Sequence, residues 1–587
     1  MKSDKANNVV SQNRLDMIYQ NSLNGDNFTK IYKLVVSEEN IIAAYNKIRF
    51  NKGSHTAGPD GATIEDVNKL KTTALIQKIQ NRLKNYQPGY VRFVRIPKQN
   101  GTGFRTLGIK SIYDRISEQA LKQILEPHFE AKFYAHSYGF RPYRSAKDAL
   151  ARCVSLINRG KMYYVVSIDI DNFFDNVDHE TLKRKLWHMD IRDKKIISIV
   201  NNMMKSRDAE TGEMIDTGLA QGGVISPLLA NVYLTELDMW VSSQWENFKI
   251  ETKDIHAFHR KAPKTNIKSG YIVRYADDFK IMCRSYDDAN RFYHATIDML
   301  KKRMKLDVNI NKSKVINLKR NKVTFLGFDV RAVRKGSAKN GWVANTHISD
   351  DALIKIKASL TEGIKAIQRN NYTLHAMLNY NAIVRGIKQY YQYATHVYID
   401  LDKIGNSNYR VINARLKSWN KKKPYYSMDA SYKRGNVGLK KMTKISTIRE
   451  VPLDVINAVH HRNPLNFSQK MTPYTSEGRT AHDKATKRTI PIEYVNYIYS
   501  AVWYKQDNIE YVNNRIRKYM SNNGKSEISG EQLHPSEMHY HHKKPKFMGG
   551  PDNYSNLALI TKTEHKLIHA TNTTLLRQHL ILAQLPK

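Results

Sequence analysis

At 587 residues the chain is too long for one hydrophobic core, and its length points to about three to five domains. Lys and Arg number 95 against 54 Asp and Glu, a formal charge of +41, and self-repulsion on that scale usually signals a polyanionic partner. With 41% hydrophobic and 10% aromatic residues the composition excludes a disordered chain. The lack of an apolar run of about 18 residues argues against a membrane span, and two cysteines, Cys153 and Cys283, exclude a disulfide framework or a multi-cysteine zinc site. The start of the chain lacks the apolar stretch of a secretory signal, so an intracellular nucleic-acid protein is expected.

Residues 1–60 are polar, with a helical patch at 39–45, and they end in a turn-rich loop at 52–61. Residues 90–98 mix apolar and basic side chains as a half-buried strand does. A glycine turn at 100–103 leads into 105–109, which predicts a basic hairpin with Lys98 and Arg105 near its tip. Such cations can hold phosphates or can form a solvated face. A helix is expected around 114–121, followed by the loop Ser137-Tyr138-Gly139-Phe140-Arg141-Pro142. The β-rich run 163–171 ends in acids, and a period of two puts Asp169 and Asp171 on one strand face. Unpaired acids are rare inside strands, but at a strand's end they can face metal. Asp178 is a suitable N-cap for the helix after it. Residues 218–231 form a loop running into a helix, and the pair Gly222-Gly223 lets backbone come close to a ligand or to another strand.

Tyr275-Ala276-Asp277-Asp278 sits between the apolar runs 271–274 and 279–282, which predicts a hairpin whose turn carries two adjacent carboxylates. Their mutual repulsion has no stabilising purpose. A pair of divalent cations would supply one, and an acidic turn in solvent is the competing reading. A short strand is expected at 323–328. From 351 the period becomes helical, with Leu353, Ile356, Leu360, Ile364 and Ile367 at spacings of three and four. A second helix contains 380–391, and a third, around 411–419, ends in Lys421-Lys422-Lys423. Basic outer faces on these helices suit RNA or plain solvent. From about 440 to 520 the chain is basic and irregular, a linker or a DNA-contacting segment. Near the end, His541-His542 precede a turn at 548–552 and Asn556. Thr561-Lys562-Thr563-Glu564 then fits a capping box that starts a helix, with His565 and His569 on one face. A structural zinc site or a histidine-rich tail is the competing reading there.

The ordered set from the Ser137–Pro142 motif through Asp169-Ile170, Gln221-Gly222 with Ser226-Pro227, Tyr275-Ala276-Asp277-Asp278, Phe325-Leu326-Gly327 and Tyr380-Asn381 with Arg385-Gly386 and Tyr390-Tyr391 resembles the group II intron reverse transcriptases and maturases. The likeness covers residues 35 to 420. The paired histidines, asparagine and helical His-x-x-x-His resemble HNH nucleases, most closely the cysteine-free colicin type. The resemblance implies an α+β multidomain fold. A right-hand polymerase, with fingers and palm around an antiparallel sheet and a helical thumb, is followed by a C-terminal ββα-metal HNH domain. The expected divisions are an N-terminal extension (1–60), fingers and palm (61–335), a helical thumb (345–440), a basic DNA-binding or linker segment (441–520) and the HNH domain (521–587).

By that resemblance Asp169, Asp277 and Asp278 would hold two Mg2+ ions, with the Ile170 carbonyl as an extra ligand. Phe174 would be the aromatic gate that rejects a ribose 2′-hydroxyl. Lys98 and Arg105 would contact the incoming triphosphate, over a backbone floor at Gln221 and Gly222. His541, His565 and His569 would bind one divalent metal, Mg2+ or a transition ion. His542 would take a proton from the attacking water, and Asn556 would orient it. Two positions depart from the family pattern: Ala220 stands where proline is expected, and Asp171 is an extra acid whose reach to metal stays open. The implied partners are the protein's own intron RNA, a DNA target and dNTPs, with no membrane, and both monomer and dimer on the RNA stay open. The implied place is a bacterial cytoplasm, at the nucleoid, or an organelle. A splicing cofactor without DNA chemistry and a retron-like enzyme are the alternatives. The intact acids weigh against the first, and the thumb block and histidine module weigh against the second.

Overall fold

In a computed structural model, the structure describes residues 3–49, 51–97, 104–248, 268–428, 430–486, 514–515, 518–534 and 537–568. The basic hairpin is present: β1 (Tyr90–Pro97) pairs antiparallel with β2 (Phe104–Lys110), and β4 (Ser206–Asp208) and β5 (Met214–Ile215) extend it in the order β2-β1-β4-β5. The sheet that carries the acids has the order β6-β7-β3-β8, from β3 (Tyr164–Ile168), β6 (Gly270–Tyr275), β7 (Asp278–Cys283) and β8 (Lys314–Asn317), all antiparallel.

Alternation along these strands divides the interior into two cores. Val166, Ile168, Ile272, Phe279 and Ile281 face one core, with the helices Ser226–Ser243 and Tyr286–Met304. Val165, Val273 and Met282 face the other, with the helix Ala146–Asn158 and the thumb helices. The N-terminal 60 residues do not stand apart. Ile18, Ile31, Val35, Ile41 and Ile48, from the helices Ser3–Leu23, Ile31–Val35 and Glu38–Arg49, are buried in the first core.

The short strand expected at 323–328 is two strands, β9 (Val323–Phe325) and β10 (Phe328–Arg334), turning at Leu326 and Gly327, both with positive φ. With β11 (Trp342–Ile348) they make a three-stranded sheet. Three helices follow, Asp350–Arg369, Leu374–Tyr391 and Val397–Arg415. In the first, Ile356, Leu360, Ile364 and Ile367 are buried as their spacing predicts, and Ser349 caps it by accepting from the Ala352 amide.

Two expectations are corrected here. The third helix ends at Arg415, and Lys421, Lys422 and Lys423 lie on β12 (Asn420–Pro424), which pairs with β13 (Lys444–Ile448) and through it with β14 (Val451–Pro452). Lysines suit β12 because it is an edge strand, where they stay solvated and discourage pairing with another chain. The segment after it is not an irregular linker as far as residue 486. Leu453, Ile456, Val459 and Phe467 bury into the second core, and the chain then runs back over the first half of the molecule. There the Tyr474 hydroxyl donates to Glu126 at 2.9 Å, and Arg479, in the first turn of the helix Ser476–Thr486, pairs with Asp16 at 3.0 Å. Composition alone hides these contacts, because each is to a partner more than 300 residues away.

The C-terminal module pairs β15 (Met538–His542) antiparallel with β16 (Leu557–Thr561), followed by the helix Lys562–Ile568. The capping box forms: the Thr561 amide donates to Glu564, and the Glu564 amide donates to Thr561 Oγ1 at 2.9 Å. Among the described residues no helix is long and apolar enough to cross a membrane.

Candidate active site

The β3–β7 register runs Tyr164 to Cys283 through Ile168 to Phe279. One step further brings Asp169 opposite Asp278, the first residue of β7. Period-two alternation then puts Asp169 and Asp278 on the same sheet face as Val165 and Met282. Asp277 is at the tip of a two-residue turn, after Ala276, whose φ of 56° is left-handed. The three acids from two remote β segments therefore meet at one end of the palm sheet. The hydroxyl of Ser313 accepts from the Asp169 amide at 3.0 Å, and the Asn309 amide donates to the Asp169 carbonyl at 2.9 Å, which pins the strand end. Ile170 is buried and bridges to Val308. Asp171 is not a strand residue: it begins the next turn, its amide donating to the Asp307 carbonyl at 2.9 Å.

Burial pushes the Asp277 carboxyl above its ordinary range, the charges of Asp278 and Asp169 add to this, and Arg105 opposes it. Two lysines answer the other acids. Lys280 Nζ lies 2.6 Å from Asp278, two residues along the same strand face, and Lys312 Nζ lies 3.5 Å from Asp169. In these rotamers no three His, Cys, Asp or Glu side chains among the described residues converge on one ion. The donor set nonetheless fits hard divalent cations. All its ligands are oxygen, its carboxylates repel one another, and a side-chain rotation away from each lysine would free Asp278 and Asp169.

The expected nucleotide floor adjoins these acids. Gly108 of β2 donates to the Gln221 carbonyl at 2.8 Å, joining the basic hairpin to the loop. Gly222, at φ 111°, leaves its missing Cβ 2.8 Å from Leu107, so only glycine suits it. The Leu219 amide donates to the Phe174 carbonyl at 2.6 Å, which seats the half-buried Phe174 beside the same loop. Glu118, absent from the sequence-based expectations, holds the far end: its carboxylate accepts from the Val224 amide at 2.7 Å and pairs with Lys110 at 2.5 Å, both side chains buried. Lys98 lies outside the described residues.

In the thumb, the Tyr390 hydroxyl donates to the Leu326 carbonyl at 3.1 Å, and Phe328 stacks on Tyr390 with ring centroids 5.7 Å apart. The turn at Leu326-Gly327 and the helix that carries Tyr390-Tyr391 thus touch directly.

In the C-terminal module His539 and His541 project from one face of β15 toward His565, with ring centroids 3.8 and 5.4 Å away. His569 lies outside the described residues. His539 is absent from the sequence-based site, and its position two residues before His541 is the signal that places it on this face. His542 Nε2 lies 2.8 Å from Asp552 Oδ1. Asn556 does not reach His542: its side chain accepts from the Lys544 amide at 2.8 Å and donates to the carbonyls of Lys544 and Pro551 at 3.0 and 2.8 Å. It clamps the connecting loop, and the acid of that loop meets His542. A turn aspartate between two strands is hard to tell from a solvated one by sequence, which is why Asp552 was missed.

Residues 96–330 match the family of reverse transcriptases (RNA-dependent DNA polymerases). This stretch is a reverse transcriptase domain. Beyond it, the chain is similar to the group II intron-encoded protein LtrA of Lactococcus lactis, 28% identical over 435 residues that cover 63% of this chain and 71% of the relative. It is 24% identical over 433 residues to the COX1/OXI3 intron 2 protein of Saccharomyces cerevisiae, covering 63% of this chain and 49%, about half, of the yeast protein. Protein YkfC of Escherichia coli is 29% identical over 353 residues, covering 57% of this chain and 90% of the relative. The matched stretch spans β2 through β9 and includes every described residue placed at the acidic site above.

Proposed function

We propose that the chain is a group II intron-encoded reverse transcriptase and maturase with a C-terminal HNH endonuclease. The observation that carries the polymerase part is the β3–β7 register that brings Asp169 alongside Asp278. In this reading Asp169, Asp277 and Asp278 hold two Mg2+ ions, with the Ile170 carbonyl in support. Such a pair of cations activates a primer 3′-hydroxyl and stabilises the leaving pyrophosphate. Arg105 and Lys98 bind the triphosphate as charges on the hairpin. Gln221 and Gly222 supply a close backbone floor, and Phe174 excludes the 2′-hydroxyl of a ribonucleotide by steric contact. The thumb helices and the +41 charge suit intron RNA, which the protein would bind to assist splicing.

In the second module His541, His565 and His569 bind one divalent cation, Mg2+ or a transition ion. His542 accepts the proton of the attacking water, with Asp552 rather than Asn556 fixing its ring. A nicked DNA target then supplies the 3′ end that primes copying of the intron RNA. The nuclease reading is supported by the ββα order and by the histidines that face one another across it.

Primer extension on an RNA template tests the first activity. The protein makes cDNA, and Asp277→Asn reduces synthesis to background while retention of RNA on a filter persists. A wild-type chain that makes no cDNA yet binds RNA is a splicing cofactor alone. His542→Ala abolishes nicking of a DNA target and leaves polymerisation intact; surviving nicking would require a different base.

A further inference from the structure

Arg274 is the one charged residue in the apolar run of β6, and its side chain is fully buried. Asp238, on the helix Ser226–Ser243, is also fully buried and receives the guanidinium in a fork, Nε to Oδ1 at 2.8 Å and Nη2 to Oδ2 at 2.6 Å. The remaining nitrogen, Nη1, donates to Asn231 Oδ1 at 2.9 Å and to the Ala276 carbonyl at 2.9 Å. Asn231, two turns before Asp238 on the same helix face, donates in turn to the Gly139 carbonyl at 2.8 Å. Gly139 closes the ring, because a Cβ there would stand 2.2 Å from the Ala276 amide nitrogen. The loop bearing Gly139 is itself tied to β6. The Tyr138 amide donates to the Arg274 carbonyl at 2.8 Å, and Arg141, paired with Glu130, donates to the carbonyls of Tyr134 and Ser137.

We propose that Asp238 and Asn231 are positioning residues for polymerisation, holding Arg274 so that its guanidinium fixes the turn from which Asp277 and Asp278 project. The proposal rests on the polymerase reading above. Ala276 sits at φ 56°, a region that residues with a Cβ adopt at a cost, so its conformation must be imposed by its surroundings. Three constraints converge on it: a donor on its carbonyl, the Gly139 backbone against its amide, and the β6–β7 ladder on either side. A buried ion pair is a weak stabiliser compared with an apolar pair of equal volume. What this pair does that an apolar one cannot is aim a rigid fork of donors at the turn. The carboxylates of Asp277 and Asp278 make no hydrogen bond to Arg274, Asp238 or Asn231.

The test uses the full chain in primer extension, with Asp238→Asn, Asn231→Leu and a double variant that adds Ala276→Gly to Asp238→Asn. Turnover per titrated active site falls about 10- to 100-fold in each single variant, because small misplacements of reacting groups are costly. The KM for template–primer stays within about twofold, since the binding surfaces are untouched. Without added metal, hydrogen exchange at the amides of 276–278 accelerates. Ala276→Gly recovers part of the lost turnover, because glycine adopts the turn unaided. Unchanged turnover and unchanged exchange in both single variants would overturn the proposal and leave Asp238 a structural residue. Should Asp238→Asn not fold, Asn231→Leu decides alone, as it leaves the Arg274–Asp238 pair intact. A wild-type chain that extends no primer would refute the polymerase reading, and the exchange measurement would still decide whether the ring holds the turn.

Discussion

Asp277 carries a charge that works against its own fold. Burial first, then the charges of Asp278 and Asp169, raise its carboxyl above the ordinary value. A carboxyl raised on folding gives its full share of stability below the unfolded value, and loses it as pH rises through the folded one. At neutral pH the charged side chain therefore strains the metal-free protein. Asp277→Asn should raise the melting temperature at neutral pH. The gain should shrink in acid, where aspartate is neutral in both states. Thermal melts of the two proteins without metal, across that range, check this. A gain that is constant with pH would mean the substitution acts through packing instead. The lysines nearby do not cancel the effect, because Lys280 pairs with Asp278 and Lys312 with Asp169.

At the scale of elements, the far end of the loop from Gly218 to Ile225 is anchored by a buried carboxylate. Glu118 receives the amides of Val224 and Ile225 and pairs with Lys110, whose ammonium also donates to the Met203 carbonyl at 2.7 Å. Glu118→Gln leaves a buried ammonium without its counter-charge, a change that costs about 3 to 5 kcal/mol. It also weakens the anchor behind Gln221 and Gly222, so the KM for dNTP should rise in primer extension. Replacing both partners, Lys110→Met with Glu118→Leu, should restore most of the stability, since an apolar pair can match a buried ion pair. The nucleotide KM should stay high in that double variant, because the two amides still lack their acceptor. Recovery of the KM together with stability would show that the loop needs no such anchor.

Across the whole molecule, two cores share one palm sheet, and the segment 453–486 runs from the thumb back to the N-terminal helix through Tyr474 and Arg479. A chain with 41 more basic than acidic side chains that grips RNA along such a surface must displace many counterions. The logarithm of RNA affinity should therefore fall with the logarithm of salt concentration at a slope of about 5 or steeper, corresponding to seven or so phosphate contacts. Filter retention from low to moderate salt measures it, and a slope near one would confine binding to a few contacts.

Much of this was legible in the chain itself. The hairpin at 275–278, the strand before Asp169, the helical period from 353 to 367 and the capping box at 561–564 each follow from local spacing, because the backbone's own periods of two and 3.6 set them. The edge strand at 420–424 was not legible, since a lysine run suits a helix end as well as a solvated edge. Nor could spacing pair Asp238 with Arg274, Glu118 with Lys110 or Asp552 with His542. Local periodicity determines which face a side chain takes, whereas only the folded chain decides which buried charge, tens or hundreds of residues away, must meet it.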